Sequence, residues 1–250
     1  MRTIYIVGNW KMNHSLADIK DFFGVLKSEK FRASCESWVA PQFIHLERCL
    51  TLAKEVGIKI GAQNCSHENK GAFTGDVSST ALKDLGAHFV IIGHSERRSV
   101  FNETNEFINS KIQQAVVNKL TVIFCVGETL EQREANKTFD ILQQQLVQGL
   151  SNIKGLGEDN LLIAYEPVWA IGTGKTATPQ MADQAHGFIR ETISKKLSLD
   201  GQKISILYGG SVKPDNVSAL LAKDNIDGGL VGGASLKSSD FRALTQAASN

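Results

Sequence analysis

Three side chains suited to acid–base chemistry stand far apart in the sequence, each shortly after a run rich in Val, Ile and Leu. They are Lys11, His94 and Glu166. An ammonium group attracts an anionic substrate, a neutral imidazole donates a hydrogen bond, and a carboxylate accepts a proton. The three residue types therefore predict general acid–base catalysis on a small anion.

Two glycine-rich turns predict where that anion would bind. Tyr208-Gly209-Gly210-Ser211 follows one apolar run and Gly232-Gly233 follows the next. Glycine lets the backbone approach a ligand closely, and the N–H groups of a following short helix attract anions. Each turn alone could be no more than a tight turn, but two at neighbouring strand ends favour a phosphate site.

The segment Pro167–Ala177 has the composition of a lid, with an apolar tip and a Gly-Thr-Gly-Lys-Thr exit. A P-loop would need glycine at the position of Trp169, so that motif fails. The spacing of Gly172, Gly174 and Ala177 formally matches a dinucleotide fingerprint, but no strand leads directly into it. We therefore expect a lid that excludes water, with Glu166 at its base. Burial under the lid would make that carboxylate more basic.

His94 differs from the other five histidines because it ends an apolar run and begins a helical turn. Backbone N–H groups at that position disfavour an imidazolium, so His94 is predicted to act as a neutral donor. Glu96, Arg97 and Arg98 follow it and are expected to form structural ion pairs, with Glu96 as a second candidate acid. Cys125 is expected to pack inside the protein.

The elements that must position these residues repeat regularly. Short apolar runs occur at 4–7, 37–40, 58–62, 89–92, 121–126, 161–164, 204–208 and 228–231. They alternate only weakly, which is typical of parallel strands buried on both faces. Helical stripes lie between them, as at 104–119, where Phe107 and Ile108 share the predicted buried face, and at 182–197, which Thr178 and Pro179 precede as cap and first residue.

The repeat predicts an α/β fold, a single (β/α)8 barrel over residues 1–250. Division of 250 residues by eight gives about 31 per unit, the size expected of one strand–helix step in such a barrel. Active sites of these barrels lie at the carboxyl ends of the strands, where Lys11, His94 and Glu166 stand.

Composition excludes several classes of protein. The formal net charge is +1, which argues against a broad basic surface for nucleic acid. No apolar run reaches membrane-spanning length, and no leader peptide is evident. The four cysteines and six histidines lack the spacing of a zinc site or a disulfide framework. We therefore predict a cytoplasmic protein with no metal and no membrane or nucleic-acid partner.

Five motifs resemble the triosephosphate isomerase family, and they occur in the family's order over most of the chain. They are Asn9-Trp10-Lys11-Met12-Asn13, Gly93-His94-Ser95-Glu96-Arg97-Arg98, Ala164-Tyr165-Glu166-Pro167-Val168-Trp169-Ala170-Ile171-Gly172-Thr173-Gly174, Tyr208-Gly209-Gly210-Ser211-Val212 and Gly232-Gly233-Ala234-Ser235-Leu236. The resemblance implies a TIM barrel that interconverts dihydroxyacetone phosphate and D-glyceraldehyde 3-phosphate without a cofactor, as part of glycolysis and gluconeogenesis.

The resemblance also implies a role for each matching residue. Glu166 would be the base, His94 the neutral electrophile, and Lys11 with Asn9 would stabilise an enediolate. The phosphate would contact the backbone N–H groups of Gly172, Ser211, Gly232 and Gly233. The closing lid would comprise Val168, Trp169, Ala170, Ile171, Gly172, Thr173, Gly174, Lys175 and Thr176, with Tyr208 and Ser211 latching it. Glu96 and Leu230 are secondary candidates.

The family acts as a homodimer, which implies that Thr74 and Gly75 reach towards Lys11 of a second subunit. Two alternatives stay open at this point. Another phosphate-binding barrel, such as an epimerase or a Schiff-base aldolase, would need clustered metal ligands or a lysine inside a late strand, and neither is evident. A non-catalytic sugar-phosphate binder would be expected to lack the base, and Glu166 is present.

Overall fold

Eight parallel strands form the centre of the protein in a computed structural model that describes residues 2–171 and 177–248. The strands are β1 (Tyr5–Asn9), β2 (Glu36–Ala40), β3 (Lys59–Ile60), β4 (Phe89–Ile92), β5 (Thr121–Val126), β6 (Leu161–Tyr165), β7 (Ile206–Tyr208) and β8 (Gly228–Val231). Their order in the sheet is β3-β2-β1-β8-β7-β6-β5-β4.

The two end strands of that order, β3 and β4, meet and bring the sheet into a ring. Ala62, just beyond β3, forms a parallel bridge with Val90. The Ala62 N–H donates to the Phe89 carbonyl, and the Ile91 N–H donates to the Ala62 carbonyl, both at 2.9 Å. The predicted (β/α)8 barrel is therefore confirmed.

Helices surround the strands and return the chain from each strand to the next. In the described ranges they are α1 (Leu16–Ser28), α2 (Leu46–Ala53), α3 (Ser79–Leu85), α4 (Ser95–Ser99), α5 (Asn105–Val117), α6 (Leu130–Glu134), α7 (Thr138–Leu150), α8 (Pro179–Lys196), α9 (Val217–Leu221) and α10 (Ser238–Ala247). None of them is long and apolar enough to cross a membrane.

The weak alternation of the strand sequences has a simple origin in the two faces of the ring. In β5, Ile123 and Cys125 point into an interior cluster, while Val122 and Phe124 belong to the larger cluster under the helices. Successive side chains of a strand point to opposite faces, so a strand apolar on both sides has little periodicity. Cys125 packs inside the barrel as predicted, and burial raises the pKa of its thiol.

Local signals fix where two predicted helices begin. The Thr178 hydroxyl accepts a hydrogen bond from the Met181 N–H, and Pro179 is the first residue of α8, as predicted. Helix α5 begins after Thr104, which caps it. One expectation for this helix was wrong: Phe107 is exposed, and Lys111 is buried in its place. Phe107 instead packs beside His67 from the loop after β3, with the ring centroids 4.7 Å apart.

Candidate active site

A cleft of about 660 Å³ opens at the carboxyl ends of the strands. It brings together residues that are far apart in the sequence and that the sequence analysis singled out. The predicted site residues on its wall are Asn9, Lys11, His94, Ile171, Ser211, Leu230, Gly232 and Gly233. They come from the ends of β1, β4, β7 and β8 and from the segment after β6, as the parallel arrangement requires.

Glu166 directly follows β6 and is 2 % exposed. Its Oε2 accepts a hydrogen bond from the Ser95 N–H at 2.8 Å, and its Oε1 lies 2.9 Å from His94 Nε2. In this conformation Glu166 lines a neighbouring cavity of about 470 Å³ rather than the cleft itself. The carboxylate must therefore leave the Ser95 N–H before it can meet a substrate in the cleft.

Glycines on either side leave space for Glu166. A Cβ at Gly127, which follows β5, would stand 1.7 Å from the Glu166 carbonyl oxygen. A Cβ at Gly209, which follows β7, would stand 2.7 Å from Glu166 Cγ. From the sequence, Gly209 is predicted only to belong to a phosphate turn, and Gly127 has no predicted role. Any side chain at Gly127 or Gly209 would displace Glu166.

His94 is held in one orientation by the start of α4. Gly93 has a φ of 75°, a conformation that glycine adopts readily, and it turns the chain from β4 into that helix. His94 Nδ1 then accepts a hydrogen bond from the Glu96 N–H at 3.2 Å. Because that bond places a lone pair on Nδ1, the proton of the neutral ring belongs on Nε2, which faces Glu166.

The pKa values of His94 and Glu166 depend on each other. Burial would lower the pKa of His94, but the adjacent Glu166 carboxylate outweighs it and raises that pKa. Burial would likewise raise the pKa of Glu166, but His94 and the Ser95 N–H outweigh it and lower that pKa. Burial therefore acts in the predicted direction, but the contacts of this conformation outweigh it, and the effect of lid closure on Glu166 stays a prediction. Separation of the two groups would remove their effect on each other, while burial and the smaller contributions of Lys11 and Glu96 would remain.

Lys11 is positioned by hydrogen bonds to its backbone. Its φ of 50° is unusual for a side chain other than glycine. The Asn9 side chain accepts from the Lys11 N–H at 3.1 Å, and Gln63 Nε2 donates to the Lys11 carbonyl at 2.8 Å. The Lys11 ammonium lies 2.7 Å from Glu96, which is therefore its charge partner.

The other charged residues after His94 differ from one another. Arg97 pairs with Glu103, as expected of a structural ion pair. Arg98 instead donates to the carbonyl oxygens of Gly93 and Cys125. It ties the end of β4 to the end of β5 and helps to keep His94 beside Glu166.

The glycine-rich turns after β7 and β8 form the wall of the cleft that faces Lys11. Lys213 and Lys237 also lie on this wall, and neither is among the residues predicted from the sequence. Each follows a predicted phosphate turn by a few residues. Their place in the sequence, shortly after these turns, could have indicated that they lie near the anion site. Among the described residues, Lys11, Lys213 and Lys237 line the cleft together with Asp215 and Asp240.

The beginning of the predicted lid is attached to a buried carboxylate that the sequence analysis did not identify. Val168–Ala170 form a 3-10 turn. The Val168 N–H donates to the Glu128 carbonyl, and Trp169 Nε1 donates to the Glu128 side chain at 2.9 Å. Ile171 reaches the cleft. Gly172, Thr173, Gly174, Lys175 and Thr176 lie outside the described residues.

The remaining predicted residues are placed as follows. Tyr208 ends β7, where burial raises the pKa of its hydroxyl to about 12. Thr74 and Gly75 lie exposed in the loop after β3 and are not among the residues that line the cleft. Over residues 2–171 and 177–248, no cluster of His, Cys, Asp and Glu could hold a metal ion.

The raised pKa of His94 opposes the predicted neutral ring as long as Glu166 lies beside it. The geometry combines a buried carboxylate, an imidazole that faces it and an ammonium group on the wall of the cleft. Such an arrangement can take a proton from carbon next to a carbonyl group and stabilise the oxyanion that forms.

Comparisons with known proteins agree with that chemistry. The sequence profile of the family described as triosephosphate isomerase matches residues 4–248. A triosephosphate isomerase of Syntrophotalea carbinolica is 47 % identical over 243 residues, 96 % of each chain. One of Leptospira biflexa is 49 % identical over 247 residues, 98 % of this chain and 99 % of the relative. The crystal structure of triosephosphate isomerase from Bartonella henselae is similar with a TM-score of 0.88 and 38 % identity, over 98 % of both chains.

Proposed function

Because the chain belongs to the triosephosphate isomerase family, it interconverts triose phosphates, and we propose that Glu166, His94 and Lys11 carry out the chemistry. The observation that carries this proposal is the contact of the Glu166 carboxylate with His94 Nε2, 2.9 Å apart at the edge of a cleft bordered by Lys11. The substrates are dihydroxyacetone phosphate and D-glyceraldehyde 3-phosphate.

Glu166 acts as the base. It leaves the Ser95 N–H, takes a proton from C1 of dihydroxyacetone phosphate, and later returns a proton to C2. The electron pair of the broken C–H bond forms the double bond of an enediolate, and the carbonyl oxygen takes the negative charge. Loss of its two hydrogen-bond donors leaves Glu166 buried and more basic, which favours the abstraction.

His94 polarises the carbonyl oxygen and moves protons between O1 and O2. Its Nε2–H, freed from Glu166, becomes the donor to the substrate oxygen. The Glu96 N–H still faces Nδ1 and opposes protonation there. Once Glu166 has taken the proton it carries no charge and no longer raises the pKa of His94, so burial favours the neutral imidazole.

Lys11 and Asn9 stabilise the charge on the enediolate. The phosphate binds the backbone N–H groups of Gly172, Ser211, Gly232 and Gly233, close to Lys213 and Lys237. Closure of residues 168–176 over it, latched by Tyr208 and Ser211, excludes water and suppresses loss of phosphate from the intermediate. The reaction serves glycolysis and gluconeogenesis. We propose that the protein is cytoplasmic and that residues 1–250 form a single domain.

The activity requires no metal and no cofactor in this account. We expect purified protein treated with a chelator to convert D-glyceraldehyde 3-phosphate to the ketone at the rate of untreated protein. A coupled assay of dihydroxyacetone phosphate measures this rate. A loss of activity that added divalent metal restores would contradict the account.

We further propose that the protein is a homodimer. Apolar side chains stand exposed on neighbouring loops, with Met12 87 % and Ile44 80 % exposed. These loops belong to one face, because Gln42 Nε2 donates to the Asn13 carbonyl. Large apolar side chains exposed on one face are typical of an interface between subunits. Thr74 and Gly75 would extend from each subunit to Lys11 of the other.

The mass of the protein in solution tests the proposed dimer. We expect the protein to elute with the mass of two chains of 27.2 kDa, and Ile44→Asp to elute as one chain with lower activity, since a buried carboxylate opposes association. Val117→Asp is the control, because Val117 is also apolar and 67 % exposed but lies at the end of α5. A fully active monomer of the unmodified protein would contradict the proposal.

A further inference from the structure

The side-chain amide of Gln145 completes the backbone hydrogen bonding of Gly127. Gln145 lies on α7, outside the barrel, and Gly127 is the first residue after β5. The Gly127 N–H donates to Gln145 Oε1 at 2.8 Å, and Gln145 Nε2 donates to the Gly127 carbonyl at 3.0 Å. The amide therefore pairs with both polar groups of Gly127, as a neighbouring strand would.

Gly127 in turn lies against the backbone of Glu166. A Cβ at Gly127 would stand 1.7 Å from the Glu166 carbonyl oxygen and 2.6 Å from its carbonyl carbon. Hydrogen bonds on either side keep the two segments in register. The Glu166 N–H donates to the Val126 carbonyl at 2.8 Å, and the Val168 N–H donates to the Glu128 carbonyl at 3.0 Å. A displacement of Gly127 would therefore move Glu166.

We propose that Gln145 is a positioning residue for the isomerisation, and that it holds the Glu166 backbone in place through Gly127. The proposal rests on the proposed role of Glu166 as the base. Glycine has no side chain to restrict its backbone, and an N–H or C=O group left without a partner in a buried place rotates to find one. The Gln145 amide prevents that rotation at the point where β5 supports Glu166.

Gln145 does not line the substrate cleft, so its effect on substrate affinity is expected to be small. It lines the neighbouring cavity of about 470 Å³, which Glu166 also lines. Misplacement of a reacting group by about 1 Å can lower a rate about a hundredfold. We therefore expect the chemical step to slow while the phosphate site stays intact.

The test compares Gln145→Met with Gln143→Met, an exposed position on the same helix. We expect Gln145→Met to lower kcat about tenfold to a hundredfold with KM within about threefold, and Gln143→Met to match the unmodified protein. Inorganic phosphate should bind Gln145→Met normally. The enediolate mimic 2-phosphoglycolate, whose carboxylate must meet Glu166, should bind it more weakly. If Gln145→Met does not fold, Gln145→Glu replaces it in the same measurements. It keeps an acceptor for the Gly127 N–H but loses the donor to the Gly127 carbonyl, so the same loss of kcat is expected.

A double-mutant cycle separates positioning from a general loss of stability. If Gln145 acts through Glu166, Gln145→Met should have little further effect in a Glu166→Gln background. The proposal would be overturned if the double variant lost kcat by the product of the two single losses. It would also be overturned if Gln145→Met bound phosphate and 2-phosphoglycolate with equally reduced affinity. If Glu166→Gln alone kept full activity, the proposed function of Glu166 would fail instead, so the two failures are distinguishable.

Discussion

Replacement of Glu166 by glutamine is expected to lower kcat by about 10²- to 10⁴-fold, the contribution typical of a positioned general base. Glutamine has nearly the same size, and its side-chain oxygen can still accept from the Ser95 N–H. An amide cannot take a proton from carbon, so binding persists while the chemical step is lost. Initial rates with D-glyceraldehyde 3-phosphate measure the effect, and KM should change by no more than a few-fold.

Glu106→Gln is the matched control for this substitution. Glu106 is an exposed carboxylate in the first turn of α5, and its replacement should leave the rate unchanged. If Glu166→Gln retained a kcat within about tenfold of the unmodified protein, a different residue would have to be the base.

Replacement of Lys11 by methionine is expected to lower kcat/KM by about 10²- to 10³-fold, as when one group that stabilises an oxyanion is removed. Methionine keeps most of the length of the side chain but lacks the ammonium group that pairs with Glu96. The enediolate and the phosphate would both lose a positive charge. Glu96 would lose its charge partner while its carboxylate stays 3.5 Å from His94 Nδ1.

Steady-state rates and the affinity for inorganic phosphate measure the two consequences separately. Lys20→Met, an exposed lysine on α1, is the control and should behave as the unmodified protein does. A kcat/KM for Lys11→Met within about threefold of the unmodified value would show that Lys213 and Lys237 suffice for the charge.

Much of the fold could be predicted because its signals are local. The apolar run at 121–126 is the strand β5, and Thr178-Pro179 begins α8 where a cap and a helical proline should stand. Phe107 is exposed, and its ring packs beside His67 from a loop that is distant in sequence. Periodicity describes one helix and contains no information about such a neighbour.

The site could be predicted as a set of residue types but not as an arrangement. Strand ends placed His94 and Lys11 in one cleft, since parallel strands end on the same side of the barrel. The supporting contacts join residues distant in sequence: Glu128 holds Trp169, and Gln145 holds Gly127. The lowered pKa of Glu166 likewise depends on His94 and on the Ser95 N–H, which are distant in sequence and outweigh the effect of burial in this conformation.

The central claim is that one carboxylate, that of Glu166, moves the proton between the two carbons. Isomerisation in D2O tests it most directly, because a proton held on Glu166 exchanges with solvent. The account predicts deuterium at C2 of the aldose and at C1 of recovered ketone with the unmodified protein. It also predicts that Glu166→Gln slows this exchange by the same factor as the overall reaction. Deuterium incorporation by Glu166→Gln at the unmodified rate would contradict the account.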